Sequence, residues 1–232
     1  MGWTLHTHAD ARQLAAHLVD SLQASLRAGL DEHGAAMLAL AGGSTPWPVY
    51  RQLAQAPLAW QNVTLLPTDD RCVPVESPAS NLRGLAEAFA PANGVQLAAL
   101  TAPDGDPDAS LVEARAWLAL HRQNFDAVVL GMGNDGHTAS LFPGAPELAC
   151  GYDPVLEACR FDPDPLPPEA PYPRISLSVG RILRSDALHL LITGDAKRSV
   201  LEEAIALNDP QRHPVMAVLG APTVDVQIHW SP

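Results

Sequence analysis

One stretch limits what this chain can become more than any other: Val128-Val129-Leu130-Gly131-Met132-Gly133-Asn134-Asp135-Gly136-His137-Thr138-Ala139-Ser140-Leu141-Phe142-Pro143-Gly144. It begins as a short apolar, β-branched run, the mark of a strand buried on both faces of a parallel sheet. It then breaks into three glycines within six residues. Glycine tolerates positive φ and has no Cβ, so such a turn lets backbone approach a ligand closely. In open α/β sheets ligands sit beyond the carboxyl ends of the strands. A histidine stands at the far lip, with an aspartate two residues before it. His137 suits a general base near neutrality, and Asp135 can orient its ring or hold substrate hydroxyls. An isolated histidine is more often a satisfied core or surface residue, but its place on a Gly-rich strand end argues for a site.

Gly131, Gly133 and Gly136 also fit G-x-G-x-x-G, the dinucleotide fingerprint. The context is wrong for it. That motif opens a long helix, whereas Pro143-Gly144 stops any helix within two turns. Asp135-Gly136-His137 also puts a titratable pair where a pyrophosphate needs bare amides.

Strand and helix patterns alternate along the rest of the chain. Trp3–Leu5 reads as a short strand. Leu14, Leu18, Leu22 and Leu26 form the stripe of an amphipathic helix expected to end near Gly29. Ala35–Ala41 reads as the first central strand. Gly42-Gly43-Ser44-Thr45-Pro46 follows it at once, a tight turn into a helix with Ser44 or Thr45 as N-cap and Pro46 at the first helical position. Free amides there make an anion site, although an ordinary capped helix reads the same way. A Walker phosphate loop is absent, since no G-K-[ST] follows.

Val63–Leu66 is read as the second strand, ending in Pro67-Thr68-Asp69-Asp70-Arg71. By itself Asp-Asp-Arg is what a solvated turn looks like. Ser80 to Arg83 starts a helix with Leu82, Leu85, Ala86 and Phe89 inward. Val95–Leu100 is a candidate short strand. Asp106-Pro107 caps a helix reaching about His121, with Leu111, Ala114 and Leu118 as its stripe. Phe125–Leu130 is the strand that delivers the central loop. Prolines at 146, 154, 163, 165, 167, 168, 171 and 173 make 144–173 a stiff covering loop, with one candidate strand at Val155–Arg160. Arg174–Val179 alternates like a strand, and Ala187–Thr193 is an apolar strand turning through Gly194 into a helix with Asp195 as N-cap. Lys197 in that helix's first turn opposes the helix dipole and suggests an anion nearby. Pro214–Leu219 reads as the last core strand and Val224–Ile228 as a terminal edge strand. This order implies one α/β domain over residues 1–232 with a mainly parallel sheet.

The net charge of −12 excludes nucleic-acid binding through the overall field. An anionic substrate would therefore need local cations at strand ends. Cys72, Cys150 and Cys159 form no C-x-x-C pair and are odd in number, which fits reduced thiols in a cytoplasm. The amino terminus has no basic region followed by an apolar core, and no run is long enough to span a bilayer, so neither a signal peptide nor a membrane segment is expected.

Four separated segments carry a resemblance. Leu40 to Pro46, Thr68 to Arg71 with Ser80 to Arg83, Gly131 to Gly144, and Arg174-Ile175-Ser176 with Gly194 to Lys197 resemble 6-phosphogluconolactonase in order and spacing. The Gly-Met-Gly-x-Asp-Gly-His-Thr-Ala-Ser-Leu-Phe-Pro-Gly element is the most specific. Departures are Asp70, where the family usually has Glu, Asn134 in place of Pro or Glu, and the bulky Trp47 beside the phosphate loop.

The resemblance implies a three-layer α/β/α sandwich shared with glucosamine-6-phosphate deaminase. It implies hydrolysis of 6-phospho-D-glucono-1,5-lactone in the cytoplasm, with neither metal nor organic cofactor. The expected partner is the sugar-phosphate lactone alone, without nucleic acid or membrane, for a monomer or weak homo-oligomer. Carried onto this sequence, His137 and Asp135 are the catalytic pair. Gly42, Gly43, Ser44, Thr45, Asp69, Arg71, Arg174 and Lys197 bind substrate and phosphate. No G-x-S-x-G is present, so an acyl-enzyme route has no support. An amino-sugar-phosphate deaminase would continue Gly-His-x-Ala-Phe, which this chain does not. A non-catalytic sugar-phosphate sensor would carry a DNA-binding module, for which there is no room before the first strand.

Overall fold

The structure of the protein, a computed structural model, describes residues 2–162, 171–221 and 223–232. In chain order its elements are β1 (Trp3–Thr7), α1 (Ala11–His33), β2 (Ala36–Leu40), α2 (Trp47–Leu53), β3 (Val63–Pro67), β4 (Asp69–Arg71), α3 (Asn81–Ala88), β5 (Gln96–Leu97), α4 (Pro107–Leu120), β6 (Ala127–Gly131), α5 (Leu148–Gly151), β7 (Ala158–Phe161), β8 (Arg174–Leu177), α6 (Val179–Ile182), β9 (Leu188–Thr193), α7 (Asp195–Leu207), α8 (Val215–Leu219) and β10 (Val226–Ser231).

Seven strands pair in parallel in the order β1-β10-β9-β6-β2-β3-β5. Successive residues of a strand point to opposite faces. On β2, Met37 and Ala39 enter the core on one side, and Leu38 and Leu40 enter the core on the other. Val128 and Leu130 of β6 oppose Ala127 and Val129 in the same way. With both faces buried, these strands read as unbroken apolar runs. Leu14, Leu18, Leu22 and Leu26 of α1, with α2 and α3, close one core. Ala114 and Leu118 of α4, with α7 and α8, close the other. The expected three-layer α/β/α sandwich results. Beside β2 the strand order reverses, since β3 lies on one flank and β6 on the other. A crevice opens at such a switch point, and the Gly42–Thr45 and Gly131–His137 loops flank it.

A second sheet was not foreseen. β4, β8 and β7 pair antiparallel. Asp69–Arg71 is therefore a strand and not a solvated turn, and the candidate strand at Val155–Arg160 is realised as the shorter β7, which starts at Ala158 and ends at Phe161, with Val155 exposed. Within the proline-rich stretch Leu148–Gly151 and Ala158–Phe161 form α5 and β7, while its prolines 163, 165, 167 and 168 lie outside the described residues.

Several local expectations are corrected. α1 passes Gly29 and ends at Gly34, which takes the left-handed conformation. Gly29 is needed for close packing: a Cβ there would lie 1.9 Å from Asp126 Oδ1, a carboxylate that accepts from Met37 N at 2.6 Å. Pro214–Leu219 is helical, as α8 with Pro214 as N-cap. A short run that is buried nearly throughout fits a helix as well as a strand. β10 is no edge strand but lies between β1 and β9. The strand at Val95–Leu100 shrinks to β5. In α3, Ala86 is exposed and Ala88 faces the core. The thiols expected to be reduced are not all so: Cys150 and Cys159 form a disulfide joining α5 to β7, and Cys72 is free and buried.

Candidate active site

The two glycine loops, the end of β4, the start of β8 and the first turn of α7 meet in one cleft of about 1070 Å³. Its walls include Gly42 to Pro46, Asp69, Arg71, Gly131 to Asp135, His137, Arg174 and Lys197. Every residue assigned to the site from the sequence borders this space. The two sheets contribute jointly: Asp69, Arg71 and Arg174 come from the antiparallel sheet and the glycine loops from the parallel one.

His137 is fixed by short-range contacts. Its Nδ1 lies 2.6 Å from Asp135 Oδ1, and its backbone N–H donates to the same oxygen at 3.1 Å. The loop closes through Gly133 N donating to His137 O at 2.9 Å. A Cβ on Gly133 would stand 2.2 Å from His137 Nδ1 and 2.6 Å from Asp135 Oδ1, so only glycine admits the pair. Gly136, at φ 80°, could not carry a Cβ either, with His213 Nδ1 2.6 Å away. The ring packs on Phe142 at 4.8 Å between centroids. With Nδ1 engaged by a carboxylate, the proton sits there and Nε2 is the basic atom. Burial alone would raise the Asp135 carboxyl, but the hydrogen bond and charge of His137 bring it below the usual range.

The Gly42–Thr45 loop is built differently from its expectation. α2 starts at Trp47, with Pro46 as N-cap and no side-chain cap, so Ser44 and Thr45 do not cap it. The amides of Gly43, Ser44 and Thr45 donate to no group among the described residues. Gly42 is required by Asn81, whose Oδ1 would be 2.0 Å from an added Cβ. Gly43 needs its freedom because it sits at φ 109°. At α7, Gly194 rather than Asp195 is the N-cap. Lys197 is half-buried, which lowers its ammonium pKa, and no carboxylate pairs with it among the described residues.

The pleat of β4 separates two adjacent aspartates. Antiparallel pairing sets Asp69 opposite Ser176 and Arg71 opposite Arg174, and directly opposed residues share a face. Asp69, Arg71 and Arg174 line the cleft. Asp70 points away and is fully buried. It accepts from Asn81 N at 2.6 Å, Leu82 N at 3.0 Å, Arg71 N at 2.8 Å and Ser80 Oγ at 3.2 Å, so it anchors the start of α3. Burial pushes its carboxyl up, against the opposing pull of those backbone donors. Arg71 Nη1 donates to Ala79 O at 2.7 Å and Asn81 Oδ1 at 3.2 Å, which aims the guanidinium. The Arg174 guanidinium lies 4.8 Å from the centre of the Phe142 ring. Asn81 and Phe142 were not singled out from the sequence. Asn81 follows an N-cap serine and reads as a helix start, while Phe142 sits inside the glycine-rich element with only its aromatic character as a signal.

The chain matches the family model described as glucosamine-6-phosphate isomerases/6-phosphogluconolactonase over residues 9–230. It is 36% identical over 230 residues to a 6-phosphogluconolactonase of Pseudomonas putida, covering 98% of this chain and 93% of that protein. The crystal structure of a 6-phosphogluconolactonase from Shewanella baltica superposes with a TM-score of 0.93 at 30% identity, over 99% of this chain and 98% of that one. A monomeric glucosamine-6-phosphate deaminase shares the fold, with a TM-score of 0.75 at 20% identity over 97% of each chain.

Proposed function

The chain belongs to the family of glucosamine-6-phosphate isomerases and 6-phosphogluconolactonases, and from that premise we propose that it hydrolyses 6-phospho-D-glucono-1,5-lactone to 6-phospho-D-gluconate, the second step of the oxidative pentose phosphate pathway. The observation that carries this reading is the His137–Asp135 pair facing the same cleft as Arg71, Arg174 and Lys197. In a chain of net charge −12 these cations are local and purposeful.

The phosphate rests on the amides of Gly43, Ser44 and Thr45, with Gly43 allowing the turn and Gly42 the close approach of Asn81. Arg71, Arg174 and Lys197 supply positive charge, the arginines as bidentate donors. Asp69, which can only accept hydrogen bonds when ionised, holds sugar hydroxyls. His137 Nε2 takes a proton from water as its oxygen attacks the lactone carbonyl. When the tetrahedral adduct collapses, the ring C–O bond breaks and the imidazolium returns that proton to the leaving alkoxide. Asp135 keeps the imidazole in the tautomer that this requires. No covalent intermediate, metal or organic cofactor enters the scheme. The same reading takes residues 1–232 as one domain, acting in the cytoplasm as a monomer or weak homo-oligomer.

The test is lactone opening measured above the spontaneous rate, at slightly acidic pH where that background is low. Acceleration of the phosphorylated lactone, with no ammonia released from glucosamine 6-phosphate, supports the reading. A rate equal to the background refutes it.

A further inference from the structure

We infer that Ser140 is a positioning residue for this cleft, holding Asp69 so that the site selects a hydroxylated ring as well as a phosphate. The inference rests on the lactonase reading above.

Ser140 is fully buried and bound from two sides. Its Oγ donates to Asp69 Oδ2 at 2.5 Å, tying it to β4. Its backbone N–H donates to Ser176 Oγ at 3.2 Å, tying it to β8, and that hydroxyl donates onward to Leu177 O at 3.0 Å. Asp69 and Ser176 are the paired residues of those strands, so one serine clamps both. Ser140 also belongs to the loop of His137, three residues on. That loop is pinned to the parallel sheet by Thr138 Oγ1 donating to Gly131 O at 2.8 Å. Between the two anchors Ala139 adopts φ 48°, a left-handed conformation that costs a non-glycine residue free energy. The turn is what carries the chain back so that Ser140 reaches Asp69. The separation between the imidazole on one sheet and the carboxylate on the other is set through this serine.

The hold has a chemical consequence. One Asp69 oxygen is occupied by Ser140, and among the described residues the other has only Thr68 Oγ1 at 3.4 Å, which leaves Oδ1 as the acceptor offered to the cleft. A carboxylate repels a phosphate, so its partner is a hydroxyl donor on the ring. Released from Ser140, the carboxylate could rotate toward Arg71, two residues along the same face, and quench a cation needed for the phosphate. Binding to both ends of the substrate would then weaken together.

Ser140→Ala, Asp69→Ala and the double variant test this against 6-phosphogluconolactone and its analogues lacking one ring hydroxyl each. Ser140→Ala is expected to raise KM about tenfold or more while kcat changes by less than about threefold. At least one deoxy analogue that the unaltered enzyme disfavours should no longer be disfavoured by Ser140→Ala. In the Asp69→Ala background, Ser140→Ala should add nothing further. Ser140→Cys, which keeps a weak donor in similar volume, should fall between serine and alanine. Additive effects of the two substitutions, or an unchanged preference among the deoxy analogues, would overturn the inference while lactonase activity of the unaltered protein stands. Should that protein open no lactone, calorimetry with 6-phosphogluconate reads the same coupling: loss of affinity in Ser140→Ala, absent in the Asp69→Ala background, supports it. No binding at all overturns it together with the lactonase reading.

Discussion

Two of the settings in which histidine occurs in this molecule differ in burial and partners, and their contrast shows what makes the residue useful. His137 sits at the cleft with a carboxylate 2.6 Å away, an open face and a glycine beneath it. Beside α1, His6 from β1, His8 just past the end of β1, His17 from α1, His189 from β9 and His229 from β10 form a second group, with ring centroids 5.2–5.8 Å apart. His17 is exposed and His189 and His229 are buried. His189 Nδ1 lies 3.1 Å from His229 Nε2, within hydrogen-bond distance. Burial first, and neighbouring imidazoles second, push His189 down to about 4 and His229 to about 2. Burial, His17 and His6 lower His8 as well. Among the described residues no three such side chains are placed to hold a metal ion. The same side chain thus faces a cleft beside a carboxylate in one place and is buried among other imidazoles in the other.

The contrast breaks most sharply at His137. His137→Asn keeps a polar group but cannot take a proton near neutrality. Its kcat should fall about 10²- to 10⁴-fold with KM little changed, read by steady-state kinetics. Near-native kcat would remove His137 from the chemistry and leave Asp69 as the base, since Asp70 is committed to α3.

The second group should instead govern acid stability. An imidazole held neutral in the fold binds its proton more readily once unfolded. Stability is therefore full above the ordinary value of 6.5 and declines as pH falls from there toward 4, where His189 titrates. For His189 alone the loss is on the order of 3 kcal/mol. Urea unfolding at a series of pH values measures it. His189→Leu with His229→Leu should flatten that slope and leave kcat at pH 7 near native. A slope that persists in the double variant would place the acid-sensitive groups elsewhere.

Two smaller effects sharpen the cleft side of the comparison. Asp135→Asn removes the carboxylate that orients the imidazole. A hydrogen bond to a charged group contributes about 1.5–3 kcal/mol, so kcat should drop roughly ten- to a hundredfold. A drop no larger than twofold would mean the imidazole needs no orienting partner. Arg71→Ala should raise KM about tenfold or more for the phosphorylated lactone and far less for unphosphorylated gluconolactone. Equal losses on both would give Arg71 a structural role, through Ala79 and Asn81, in place of a phosphate-binding one.

Much of this site was legible before the fold was known because its decisive contacts are local. Asp135 and His137 are two residues apart, and the loop that joins them bonds to itself through Gly133. Gly42-Gly43 and Gly131 to Gly136 declare by composition that backbone must come close to something there. Apolar runs alternating with helical stripes identify a parallel sheet because burial on both faces leaves no room for polar residues. What remained hidden depends on partners far along the chain. Asp69 and Asp70 are equivalent as neighbours in sequence. The pairing of β4 with β8, more than 100 residues on, turns one into the cleft and the other under α3. The same pairing brings Ser176 and Ser140 to Asp69, and the β7 arm of that sheet carries Cys159 to Cys150. Whether Val215–Leu219 coils or extends was likewise decided by its packing beside α6 and α7, since five apolar residues satisfy either geometry.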